Sequence, residues 1–125
     1  MKKIILLLLF PILSYAQCNE GEYPIYMTTS TAEWAYEMSW GLWDYDSWMQ
    51  GDPSPESSII FFQGSENFQT ESFDGCLPSS GCYMIAAYDS YGDGWNGGNL
   101  NVNVNNSKDP INYEMFNGTW EYWTC

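Results

Sequence analysis

The stretch Asn99-Leu100-Asn101-Val102-Asn103-Val104-Asn105, NLNVNVN, alternates polar and apolar residues without a break. Period two puts the leucine and valines on one face of an extended segment and the asparagines on the other. A helix would scatter both sets round its circumference. The same alternation runs over residues 34–42, where Trp34, Tyr36, Met38, Trp40 and Leu42 interleave with Ala35, Glu37, Ser39 and Gly41. That pattern predicts a half-buried strand with Trp34, Tyr36 and Trp40 in the core. Residues 59–62 and 83–88 read as more deeply buried strands, and 23–29, 68–73, 111–116 and 119–123 complete the set. Turn residues fall between the runs, among them Gly51-Asp52-Pro53-Ser54-Pro55, Leu77-Pro78-Ser79-Ser80-Gly81 and Asn117-Gly118. No segment reads as a helix. Seven or eight short strands predict an all-β fold, an antiparallel β-sandwich or a jelly-roll-like relative of it.

The ends of the chain set its compartment. MKKIILLLLFPILSYA has two lysines, an apolar run and small residues at its last and third-last positions. It predicts an export signal over residues 1–16, cleaved before Gln17, and a single domain over 17–125. The apolar run is short for a membrane span, so no membrane insertion is expected after cleavage. The chain carries a net charge of −13, with sixteen Asp and Glu, three Lys and Arg and no histidine. Lys2 and Lys3 leave with the signal, and Lys108 stays as the one basic side chain. Such a surface repels nucleic acid and attracts cations. Without histidine there is no Ser-His or Cys-His pair and no histidine-bound zinc. The expectation is therefore a protein that binds rather than catalyses, with a carboxylate-pair hydrolase as a distant alternative.

Cys18, Cys76, Cys82 and Cys125 all follow the signal. An even count in an exported chain points to two disulfides, with three pairings open. Read as a five-residue hairpin loop, CLPSSGC favours Cys76–Cys82 and leaves Cys18–Cys125. A lipid-anchored Cys18 is the alternative, but Gln17 stands where a small residue would be needed.

The chemistry-bearing stretch is Tyr88-Asp89-Ser90-Tyr91-Gly92-Asp93-Gly94-Trp95-Asn96-Gly97-Gly98. Two readings stand. One is a glycine turn whose aspartates cap their own backbone. The other is a calcium loop using Asp89, Asp93, the Asn96 amide and loop carbonyls. It is not an EF-hand, because Tyr91 holds the third position and Leu100 the twelfth. A second acidic pair, Asp44 and Asp46, would join the site if the strand ending near Leu42 lay beside the one ending near Tyr88. Trp43, Trp48 and Trp95 lie in or near turns and suit a sugar-stacking surface or a protein interface.

Cys76-Leu77-Pro78, Gly81-Cys82-Tyr83 and Asp89-Ser90-Tyr91-Gly92-Asp93-Gly94-Trp95 together resemble a module found in exported bacterial adhesins and proteases. Its pattern runs C-L-P-x-G-C-Y, a strand, then D-S-x-G-D-G. The upstream Glu37-Met38-Ser39-Trp40-Gly41-Leu42-Trp43-Asp44 looks like the same module's tryptophan-bearing strand. The resemblance implies a secreted or surface β-sandwich with a calcium role for Asp89 and Asp93. In many such modules cysteines follow the Asp-Gly stretch, where this chain has Trp95 and Asn96. The partner expected is a glycan or a surface protein, with Trp95 and Asn96 presented by an ordered loop. The alternative is an accessory subunit of a larger surface or motility complex.

Overall fold

A computed structural model describes residues 17–51, 53–105, 110–116 and 118–125; the expected export signal and Lys108 lie outside them. The described residues form eight strands and one short helix. The strands are β1 (Glu22–Ser30), β2 (Met38–Asp44), β3 (Ile60–Gln63), β4 (Thr70–Pro78), β5 (Tyr83–Asp89), β6 (Asn99–Val104), β7 (Ile111–Glu114) and β8 (Thr119–Thr124). The helix, α1 (Tyr45–Gln50), follows β2. Two four-stranded sheets result, ordered β4-β1-β6-β7 and β3-β2-β5-β8, and every pairing is antiparallel. The fold is the expected β-sandwich.

Alternation explains how the sheets close on each other. In β6, Leu100 and Val102 are buried while Asn99, Asn101 and Asn103 are half-exposed. Ile25 and Met27 of β1 join them from the same sheet. Met38, Trp40 and Leu42 of β2, with Ile85 and Ala87 of β5, come from the other. Trp40 stacks on Phe62 at 5.8 Å and meets Phe73 of β4 edge-on at 5.2 Å, so one indole spans both sheets. On the outer face of β2, the Trp43 indole covers Gly41 so closely that a Cβ there would lie 2.2 Å from it.

Three expectations need correction. Residues 34–42 are not one strand. Trp34 has φ +62°, Ala35–Glu37 form a 3₁₀ turn, and the strand begins only at Met38. The alternation runs past the strand start, but there the backbone is met by side chains instead of a neighbouring strand: Asn67 accepts from the Ala35 N–H, and Gln63 donates to the Tyr36 and Met38 carbonyls. Those groups are distant in sequence. Trp34 and Tyr36 consequently stand exposed, not in the core.

The disulfides are Cys18–Cys76 and Cys82–Cys125, not Cys76–Cys82 and Cys18–Cys125. CLPSSGC is not a hairpin, since β4 and β5 belong to different sheets and the segment between them crosses the sandwich. Strand register then decides the partners. Tyr83 pairs with Thr124, so Cys82 and Cys125, one residue further on each chain, face each other. Likewise Pro24 pairs with Cys76, and the segment preceding β1 brings Cys18 alongside.

Finally, Asp44 and Asp46 lie on a helix terminus. Asp44 caps α1 by accepting from the Ser47 N–H at 3.1 Å, and Asp46 is in its first turn. Both placements favour a carboxylate through the positive end of the helix.

Candidate metal centre

The Asp-Gly loop carries the chain from β5 to β6, from one sheet to the other. Asp89 ends β5 and is buried, with 8% of its surface exposed. Its two oxygens accept from the backbone N–H groups of Tyr91 and Gly94, which folds the loop back over the carboxylate. Gly94 has φ +102°, and a Cβ there would lie 2.7 Å from the Met115 carbonyl, so the position excludes any side chain on two counts. The glycine-turn reading is thus correct for the backbone.

The same fold gathers three carboxylates. Met38 pairs with Asp89 across β2 and β5, which sets Glu37 beside the end of β5. One oxygen each from Glu37, Asp89 and Asp93 lies within 4.8 Å of the others. Glu37 is only 8% exposed, and its Oε2 is buried with no hydrogen-bond partner. Burial, then the Asp93 and Asp89 charges, push the Glu37 carboxyl above its ordinary range; a hydrogen bond from Tyr36 pulls it partly back. Among the described residues there is no lysine, arginine or histidine to neutralise the cluster. A buried, unpaired carboxylate oxygen is costly unless something supplies positive charge.

The donor set suits a hard cation. All three ligating atoms are carboxylate oxygens, and ligands on one calcium ion, at about 2.3–2.6 Å each, stand up to about 5 Å apart. The triad can hold a metal ion.

The other residues singled out in the sequence fall elsewhere. Asn96, at φ +53°, is exposed and turns its amide onto the Gly94 carbonyl at 3.3 Å. Asp44 pairs with Tyr83 at the far end of β5, six residues and about 20 Å from Asp89. Antiparallel pairing therefore carries it away from the loop, contrary to the expected convergence, and Asp46 follows it onto α1. Trp95 is not presented at the surface. It is 1% exposed, its indole donates to the Tyr88 carbonyl at 2.9 Å, and its ring meets Tyr113 edge-on. It plugs the end of the sandwich and anchors the loop. Trp43 is equally buried, donating to the Ser54 carbonyl, and half-buried Trp48 packs edge-on against it at 5.0 Å.

Sequence reasoning missed Glu37, which read as the polar face of a strand. Only the β2–β5 register could have shown it one residue before the partner of Asp89. Beside the cluster opens a cleft of about 480 Å³ lined by Trp34, Tyr36, Glu37, Ser90, Tyr91 and Asp93. Its three aromatic residues are 53%, 58% and 76% exposed, respectively. Compared with protein-family models, curated proteins and solved structures, the chain matches none.

Proposed function

We propose that this protein is an exported, non-catalytic binding module whose Asp-Gly loop is held by calcium and presents a surface for adhesion or glycan binding. The observation that carries this reading is the Glu37 carboxylate, buried with an unpartnered oxygen against Asp89 and Asp93 in described residues that offer no cationic side chain. In this reading Asp89 has two tasks, organising the loop through its hydrogen bonds and sharing the ion. Glu37 and Asp93 complete the carboxylate set, and Gly94 permits the turn. Two disulfides agree with an extracellular setting. The resemblance to modules of exported adhesins and proteases supports the same assignment.

The test is a thermal melt of the mature protein with excess calcium and with chelator. A ligand binding only the folded state at a hundred times its dissociation constant adds about 2.7 kcal/mol, several degrees for a chain of this size. The calcium-dependent shift should vanish in Asp93→Asn, whose exposed side chain is least needed for folding. In Glu37→Gln it should vanish too, while the metal-free melt rises because the buried repulsion is gone. Superimposable melts with calcium and with chelator in the wild type would sink the proposal.

A further inference from the structure

The cleft beside the cluster carries a more specific inference, which rests on the calcium reading above. We propose that it is a carbohydrate site in which two neighbouring hydroxyls of a neutral pyranose complete the coordination of the bound ion, while its apolar ring face lies against the aromatic wall.

Four observations converge on it. The first is coordination. Calcium takes six to eight oxygens, and Glu37, Asp89 and Asp93 are the carboxylates assembled around one point. Glu37 and Asp93 also line the cleft, so the ion's remaining positions open toward it. Paired hydroxyls on adjacent carbons would supply two of those oxygens.

The second is the wall. Trp34, Tyr36 and Tyr91 are large rings left largely in solvent around one concavity. Trp34 and Tyr36 meet edge to face at 6.1 Å, with planes at 86°. Each ring thus fixes the other while leaving flat surface exposed. Trp34 also holds φ +62°, a conformation that disfavours a bulky side chain. An exposed tryptophan kept in a strained backbone position gains the fold little, and its value lies in what it faces.

The third is size. A cleft of about 480 Å³ falls within the range of small-ligand sites and has room for one or two sugar rings. The fourth is charge. Three carboxylates and one dication leave a net negative centre on a chain of net charge −13. An anionic group would be repelled, so the ligand is a neutral polyol. The carboxylate oxygens, within 4.8 Å of one another, close around a small ion rather than a bulky methylated ammonium.

The experiment is calorimetric titration with methyl α-glucopyranoside, α-mannopyranoside and β-galactopyranoside, each in excess calcium and in chelator, alongside the calcium melt. The result expected is saturable binding of at least one glycoside in calcium and none in chelator. Tyr91→Ala should weaken it about tenfold or more while the calcium melt shift persists, and Asp93→Asn should lose both. Equal binding in chelator would overturn the ion-bridged site. So would a calcium shift with no heat from any glycoside, which leaves the metal reading standing. A loss of the calcium shift itself in the wild type removes both. Binding of tetramethylammonium in chelator, displaced by calcium, would replace the sugar with an organic cation. Capture of a protein that is indifferent to all three glycosides would likewise overturn the sugar site.

Discussion

Trp34 and Gly94 both sit at positive φ, and only one of them has the residue its backbone asks for. Gly94 is locked by the Met115 carbonyl and could be nothing else. Trp34 costs about 1–2 kcal/mol in the left-handed region, and its ring is more than half exposed. We therefore expect Trp34→Asn to hold or raise the melting temperature, by up to about 1 kcal/mol of stability, while glycoside binding is lost. Paired melting and titration curves check this. A drop of several degrees would mean that the indole supports the fold. At this scale the sequence named two of the three carboxylates. It missed Glu37 because alternation labels a residue polar or apolar and says nothing of what lies opposite.

The element that matters most is the β2–β5 pair. Its antiparallel register puts Met38 opposite Asp89 and Asp44 opposite Tyr83. One end of the pair thereby gathers the acidic cluster, and the other delivers Asp44 to the N-terminus of α1. Each disulfide ties the margin of one sheet. Cys18–Cys76 secures the segment before β1 to β4, and Cys82–Cys125 joins the start of β5 to the residue after β8. They close separations of 58 and 43 residues. Chain-entropy arguments give each about 4 kcal/mol. Non-reducing proteolysis with mass spectrometry should recover Cys18–Cys76 and Cys82–Cys125 peptides and no short Cys76–Cys82 loop. Replacing Cys82 and Cys125 together by serine should lower stability by an amount of that order in denaturant titration.

At the scale of the whole molecule, tyrosines couple the fold to pH. Burial raises Tyr23, Tyr83, Tyr88 and Tyr113 above the ordinary phenol value of 10.0. For Tyr83, the neighbouring Tyr23 and Asp44 add to that effect. Its hydroxyl also donates to the Pro78 carbonyl at 2.7 Å, a bond that needs the protonated form. Below pH 10 folded and unfolded chains keep these protons alike, so their contribution is fully present. As pH rises past 10 the unfolded chain releases protons that the folded one retains, and stability falls through the raised folded values. Denaturant midpoints should therefore be level from about pH 8 to 9.5 and decline above about pH 10, with a shallower decline in Tyr83→Phe. An unchanged midpoint through about pH 11 would contradict these burials.

What the sequence determined by itself was local. The alternation in NLNVNVN, the turn residues between strands and the glycines of the Asp-Gly loop reflect backbone preference and the two faces of a pleat, which neighbours along the chain already specify. Seven or eight short strands and an all-β, sandwich-like fold follow from them. Strand order, register and the crossing of CLPSSGC between sheets depend on groups far apart in sequence, and these decided the rest. The disulfide partners, the recruitment of Glu37, the burial of Trp95 and the exposure of Trp34 all belong to that second class. Each is set by which strand lies beside which, a choice made by packing the common core rather than by any one segment's pattern.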